Sequence, residues 1–593
     1  MKNIKISLLI LLSLCVSCKD DFLDRKPQTA ITEDTFFANV SDLETYTNGF
    51  YGSIGPRWED IYSDNLSVYT GGSDTENLIR GSLTPASVGG WNAWGTVRRI
   101  NFFLTRAGKA SGDPSLIKHY IGVGRFFRAM VYYDMVKRYG DVPWYSAVLA
   151  SNDEQMLYKA KDPRTVVVDS IMNDLEYASA NILPSRTNNT MVTKWAALTL
   201  LARTSLHEGT FRLYHDELNL KSTSTRFLTR AASAAQEVME RGGFSLTSTG
   251  NGAVDFRNLF SSNNLSANKE VIMLNKNSKE DGITNNTHVV LDWQWALSQD
   301  LANDFLNSDG TTFTSKSNYD KLGFVESFAN RDPRLSETIM PPGFTTVPGT
   351  NPYLPKPSFG GYLQVKFYPR DPSLRGGYGL NYTDLPIYRL AEPLLVYAEA
   401  KAELGQLTQT DLDKTVNLLR KRVGMPDLNL SNANANPDSY LSNKYPNVSG
   451  SNKGVILEIR RERRVELACE GFRFDDIYRW KVGKLLVKAS NGMYVSKLGG
   501  IDVTGDGKED IAILEAPGKE EPLATLPADI KSKIVKYYLS DGSFYLSNGT
   551  SGNIVFTKDK NQPRDFNESK YYYFPIPQQQ IILNKNLTQP TGW

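Results

Sequence analysis

Asp502, Thr504, Asp506 and Asp510 fall in the run DVTGDGKED, which places oxygen-bearing side chains at positions one, three, five and nine and a glycine at six. That spacing is the one with which a loop wraps calcium. Position twelve is Ile513, where a bidentate glutamate would complete the set. The flanks read as a hairpin rather than as two helices, so a glycine-rich β-turn competes with a structural calcium site. Two other stretches point to different chemistry. Trp91 and Asn92 share the segment 52–95 with Asp74 and Arg80, and Asp292-Trp293-Gln294-Trp295 forms a second aromatic loop. An indole face stacks on the apolar C–H face of a sugar ring, while amides, carboxylates and guanidinium groups bond its hydroxyls. Asp74, Arg80, Trp91, Asn92, Trp293 and Trp295 are therefore the candidate ligand-binding residues. Trp94, seven residues before Asn101 at a helix start, reads as core. Trp293 and Trp295 lie on an extended segment with one buried and one exposed face, and the sequence leaves open for each of them which face it takes.

Other chemistries find little support. The four histidines, at 119, 207, 215 and 288, have no partner at metal-ligand spacing. There is no nucleophile elbow, no phosphate-cradling loop and no HExxH. Asp475-Asp476 are adjacent, so on a helix they diverge and do not form a hydrolytic pair. No enzyme is expected and no cofactor beyond the calcium candidate. The formal net charge is +2 over 593 residues, and removing a leader that contains Lys2 and Lys5 balances it, which gives nucleic acid no electrostatic footprint.

The elements that must position these residues are mostly helical. Thr96–Ala107, Ser115–Tyr139, Asp162–Ala180, Val192–Glu208 and Arg226–Arg241 carry apolar residues at three- and four-residue spacing with Gly or Pro at their ends. Ile31–Tyr51 reads as a first helix capped by Thr32 or Asp34. Tyr388–Leu404 and Leu412–Val423 form a further pair. Short connections between paired helices suit a tetratricopeptide-like stack in degenerate form, because the strict repeat consensus is absent. The stretch LEIRRERRVELACEGFRFDDIYRWK, from Leu457, sets glutamates four apart. Such like charges repel unless arginines interleave with them, which predicts a helix packed on several sides and ended by Gly471.

At the amino terminus Lys2 and Lys5 precede the apolar run Ile6–Val16, too short to span a bilayer. Val16-Ser17-Cys18 resembles a bacterial lipobox, with Cys15 where leucine is usual, and predicts acylation at Cys18. Lys19-Asp20-Asp21 resembles a surface-export signal. After such processing Cys469 is left without a thiol partner, so the fold would hold without disulfides.

The run ERRVELACEGFRFDDIYRWK resembles a signature of the RagB/SusD family, and RYGDVPW, KWAALTLLARTSLHEGTFRLYH, NRDPRL, YRLAEPLLVYAEAKAELG and YYYFPIPQQQIILNKNLTQPTGW resemble further segments in the same order. Gln580 stands where that ending usually has an acidic residue. The resemblance implies a mainly α SusD-like fold, a degenerate tetratricopeptide-like helical-pair scaffold with long loops and a few short β-hairpins. It implies a signal peptide at 1–17 and one domain at 18–593, helical over about 24–250 and RagB/SusD-like over about 270–593. It implies an outer-membrane protein, lipid-anchored and facing outward, that takes a glycan to a SusC-like TonB-dependent transporter. The alternatives are the same fold capturing peptides or proteins, or a docking scaffold without its own ligand.

Overall fold

A computed structural model describes residues 36–68, 72–185, 188–293, 295–488 and 491–593. The leader, Cys18 and the first residues of the expected first helix lie outside these. That helix, α1, runs Val40–Asn48, and its start is set by a capping box. The Asn39 side chain accepts from Asp42 N–H, while Asp42 accepts from the Asn39 N–H. Thr32 and Asp34, the expected caps, lie outside the described residues.

Five long helices follow: α2 Trp94–Leu104, α3 Pro114–Tyr139, α4 Arg164–Asn181, α5 Lys194–Tyr214 and α6 Ser224–Arg241. Asp113 caps α3 with Pro114 in its first turn, and Thr193 caps α5. α3 packs on α4 and α5 on α6, as the short connections predict. The crossings are close because glycines sit in them. A Cβ on Gly122 would lie 2.8 Å from Ile182, and one on Gly209 would lie 2.9 Å from Leu228. Among the described residues no helix is long and apolar enough to cross a membrane.

The second half adds α7 Ala391–Glu403, α8 Val416–Arg422, α9 Lys453–Glu466 and α10 Arg473–Arg479. α7 lies against both α6 and α9. Tyr388, expected inside α7, belongs instead to a strand. The strands are short: β1 Leu66–Val68, β2 Val271–Asn275, β3 Trp295–Leu297, β4 Leu385–Arg389, β5 Tyr494–Val495, β6 Gly499–Ile501, β7 Ile511–Leu514, β8 Val535–Tyr538, β9 Phe544–Leu546 and β10 Gly552–Phe556. They form two ribbons, β1–β3 and β2–β4, and two three-stranded sheets in the orders β5–β10–β9 and β6–β7–β8. β7 and β8 run parallel and the other pairs antiparallel.

α9 is the buried pivot. Its glutamates are interleaved with arginines from neighbouring segments. Glu466 meets Arg422 at 2.6 Å, Arg389 at 2.7 Å and Arg334 at 3.0 Å. Glu462 meets Arg334 at 2.5 Å and Arg420 at 2.9 Å. Burial pushes the Glu466 carboxyl up, and the three guanidinium groups more than offset it, holding it well below the usual carboxylate range. The helix stops at Glu466, earlier than Gly471. Cys469 (φ 65°) and Gly471 (φ 76°) make a left-handed turn whose N–H groups donate to the buried Asp60 carboxylate at 2.6 and 2.9 Å. A side chain at Gly471 would collide with Arg57.

The two ends of the described chain are fastened together. Asp565 N–H donates to Ile79 O, Phe574 N–H to Arg138 O and Gln578 N–H to Pro85 O. Tyr571, Tyr572 and Phe574 complete the same apolar core as α2 to α7, while a second core lies beneath β3, β4, β7 and the loops between them.

Candidate functional site

The β1–β3 ribbon brings the two expected loops together. Val68 pairs with Trp295 and Leu66 with Leu297, so the chain leaving β1 and the residues before Trp295 emerge at one end of the ribbon. Trp295 begins β3 while Trp293 lies in the bend before it, so the two rings are placed differently although they stand two positions apart. Trp295 is buried at 5% exposure, whereas Trp293 is 43% exposed. Gln294 lies outside the described residues.

Around Trp293 the groups suit a flat, hydroxylated ligand. Asp292 next to it holds Lys356 at 2.5 Å. The ammonium group also lies 5.4 Å from the Tyr353 ring centre. Burial and the Asp292 carboxylate both push the Tyr353 phenol up, so it stays protonated and can donate. The segments 285–288 and 379–381 are joined by the Asn285–Asn381 bridge and by a 2.9 Å bond from Gly379 N–H to Asn286. This join carries the exposed Tyr378 ring on the same loop system.

The other four expected residues do not join this face. Arg80 is buried, donating to Glu76 at 2.5 Å and to Asp559 at 2.7 Å. Asp74 is taken by Arg138 at 2.5 Å and by Gly89 N–H. Both were expected to meet ligand, but in the fold they tie the segment 72–90 to α3 and to residues 559–562. Trp91 is also buried, its ring edge-on to Tyr139 at 4.9 Å and to Trp94 at 5.3 Å. Asn92 is exposed beside it. With Trp94, Tyr145, Leu157 and Leu583, Trp91 walls a concavity of about 320 Å³. Three of the polar groups there are already engaged: Arg98 donates to Leu149 O, Asn101 to Tyr145 O and Asn584 to Lys159 O. Arg80, Asp74 and Trp91 are thus engaged within the fold and do not form a single platform with Trp293. The sequence signal is the same for a buried and an exposed tryptophan, so only packing separates them.

At the opposite end of the ribbon Asp64 and Ser298 open onto a second, more polar cleft of about 290 Å³. Tyr319 and Tyr440 form one wall, their ring centres 6.2 Å apart. Gln299 accepts from Asn553 at 3.0 Å across the floor. Sequence reasoning missed this cleft because its residues come from seven separate stretches of the chain.

The calcium candidate is a hairpin tip. β6 and β7 pair with Ile501 opposite Ile511, as the flanks suggest. Oxygens of Asp502, Asp506 and Asp510 lie within 4.8 Å of one another. Asp502 accepts from the N–H groups of Thr504, Gly505 and Gly507, and Asp510 from those of Val503 and Thr504. These three carboxylates could hold a calcium ion, whereas Thr504 donates its backbone N–H to Asp502 and Asp510 and supplies no ligand. His207 is packed between Tyr133 and Phe211, with burial and then the nearby cations pushing its pKa well down, so it is a neutral core residue.

Comparison with known proteins follows this geometry. The model of the SusD family matches residues 261–593. SusD-like protein P38 of Formosa agariphila is 25% identical over 521 residues, covering 83% of this chain and 94% of its own length. A SusD-like carbohydrate binding protein from Bacteroides fragilis superposes with a TM-score of 0.68 at 21% identity, covering 93% of this chain and all of that one. A laminarin binding SusD-like protein superposes with a TM-score of 0.53 at 16% identity, over 94% of this chain and all of that one.

Proposed function

Because the chain belongs to the SusD family, we propose that it is a non-enzymatic surface lipoprotein that captures an oligosaccharide and passes it to a SusC-like TonB-dependent transporter. Glycan binding is supported by two fold neighbours, one described as carbohydrate binding and one as laminarin binding. The observation that carries the reading is the exposed Trp293 indole, set beside the Asp292–Lys356 pair and the Tyr353 hydroxyl. An apolar face next to fixed donors and acceptors matches the two surfaces of a sugar ring.

A glycan-array screen of the soluble protein, followed by calorimetric titration of the best ligand, tests this. Covering one sugar face on an indole contributes on the order of 1–2 kcal/mol, so Trp293→Ala is expected to weaken binding roughly tenfold with an unchanged Tm. Wild-type affinity in Trp293→Ala would move the site elsewhere.

The anchor belongs to the same reading. Acylation at Cys18, followed by Lys19-Asp20-Asp21, would hold the protein on the outer face of the outer membrane through several acyl chains. Cys18→Ala is expected to appear in the soluble fraction, and unchanged membrane fractionation counts against the lipoprotein. Asp20→Ala with Asp21→Ala is expected to stay lipidated and lose surface exposure.

A further inference from the structure

The cleft at the inner end of the β1–β3 ribbon has a charge pattern that the Trp293 face lacks. Two carboxylates, Asp64 and Asp300, line it, but both are neutralised from behind. Arg473 lies 2.6 Å from Asp64, and Arg464 and Lys444 each lie 2.8 Å from Asp300. Burial pushes both carboxyls up, and these cations more than offset it, so both stay ionised and paired. The mouth of the cleft carries Lys484 and Lys488, both exposed and without a carboxylate partner among the described residues, against the single exposed Asp320. The local balance at the opening is therefore positive in a chain that is nearly neutral overall.

The remaining polar groups are those of a hydroxyl-binding site. Among the described residues the Asn303 and Asn491 side chains make no hydrogen bond, so their amides are available at the cleft wall. The Tyr440 hydroxyl is held by Asp300 at 2.5 Å, which fixes its ring beside Tyr319.

We propose that this cleft binds an anionic sugar unit, one bearing a carboxylate or a sulfate, with Lys484 and Lys488 meeting its charge, Asn303 and Asn491 its hydroxyls, and Tyr319 and Tyr440 its C–H face. It is a second site, distinct from Trp293. The inference rests on the glycan reading for the polymer as a whole but not on the Trp293 face.

The test is calorimetric titration of the full soluble chain with three probes: polygalacturonate, a sulfated galactan, and neutral laminarin. The expected result is that one anionic polymer binds at least tenfold more tightly than laminarin, that added salt weakens it, and that K484A/K488A removes the advantage. K484R/K488R is expected to restore it. Carboxylate and sulfate are told apart by which of the two polymers wins. K109A/K118A, a pair of exposed lysines by α2 and α3, controls for unspecific adsorption; equal loss in that variant overturns the proposal. So do anionic polymers that bind no better than laminarin, or K484A/K488A binding like wild type. If laminarin binds and depends on Trp293 while neither anionic polymer gains, this inference fails and the glycan reading stands. If the anionic polymer depends on Lys484 and Lys488 but Trp293→Ala has no effect, the cleft stands and the Trp293 face falls. If no polymer binds, both fall.

Discussion

Two glutamates show how differently one side-chain type is used in this chain. Glu466 sits among Arg334, Arg389 and Arg422 with no exposure, so Glu466→Ala leaves three cations without their shared partner. Breaking such a buried cluster costs about 3–5 kcal/mol, which should appear as a lower denaturant midpoint at unchanged slope. Glu59 is the opposite case. Burial, and then the neighbouring Asp60, push its carboxyl up to about 7, which Arg57 offsets only in part. Between pH 4.5 and about 7 the folded protein thus holds a proton that the unfolded chain has released. The stability this contributes is complete below pH 4.5 and lost as pH rises through 7. Glu59→Gln is expected to gain roughly 1–3 kcal/mol over the wild type at pH 8 and nothing at pH 4, by urea unfolding at both values. Trp91→Ala is expected to lower stability by about 2–4 kcal/mol because its ring is a packed wall, whereas Trp293→Ala should leave the Tm alone. The four-apart glutamates of α9 were legible as a packed helix. Their partners were not, since Arg334 lies 132 positions before Glu466 and nothing local marks it.

At the scale of elements, the helices and their order follow from apolar spacing and from Asp113, Pro114 and Thr193 at their starts. The departures have local causes. Asn39 caps α1 later than expected, and Asp60 draws the chain into a turn before Gly471. The loops were the least legible part, because the sequence does not say which loop residue has a partner in another. Arg80 and Asp559 are such a pair, 479 positions apart. The β6–β7 hairpin was readable from glycines at 505 and 507, both at positive φ. Its three clustered carboxylates repel one another, and a divalent cation would relieve that repulsion. Calorimetry is expected to detect calcium binding in the range of about 10⁻⁴–10⁻³ M typical of extracellular modules, and Asp502→Ala should abolish it. A heat equal to the buffer blank would assign the loop as a turn closed by its own amides.

For the molecule as a whole, family and fold class were legible because the quoted segments are long and spread along the chain in one order. The placement of a ligand was not, because both the Trp293 face and the polar cleft are assembled from segments distant in sequence. One feature of that assembly reaches beyond binding. The residues after Asn561 bond Ile79, Arg138 and Pro85 through Asp565, Phe574 and Gln578, and three of their aromatic rings complete the first core. The first core is therefore not complete until the latest residues arrive. Contacts of such high sequence separation make folding slow. If the chain is exported, as proposed above, the delay would keep it loose enough to be threaded across a membrane until its tail has been made. Deleting residues 565–593 should then leave a product that protease digests throughout α2 and α3, not one with a trimmed end.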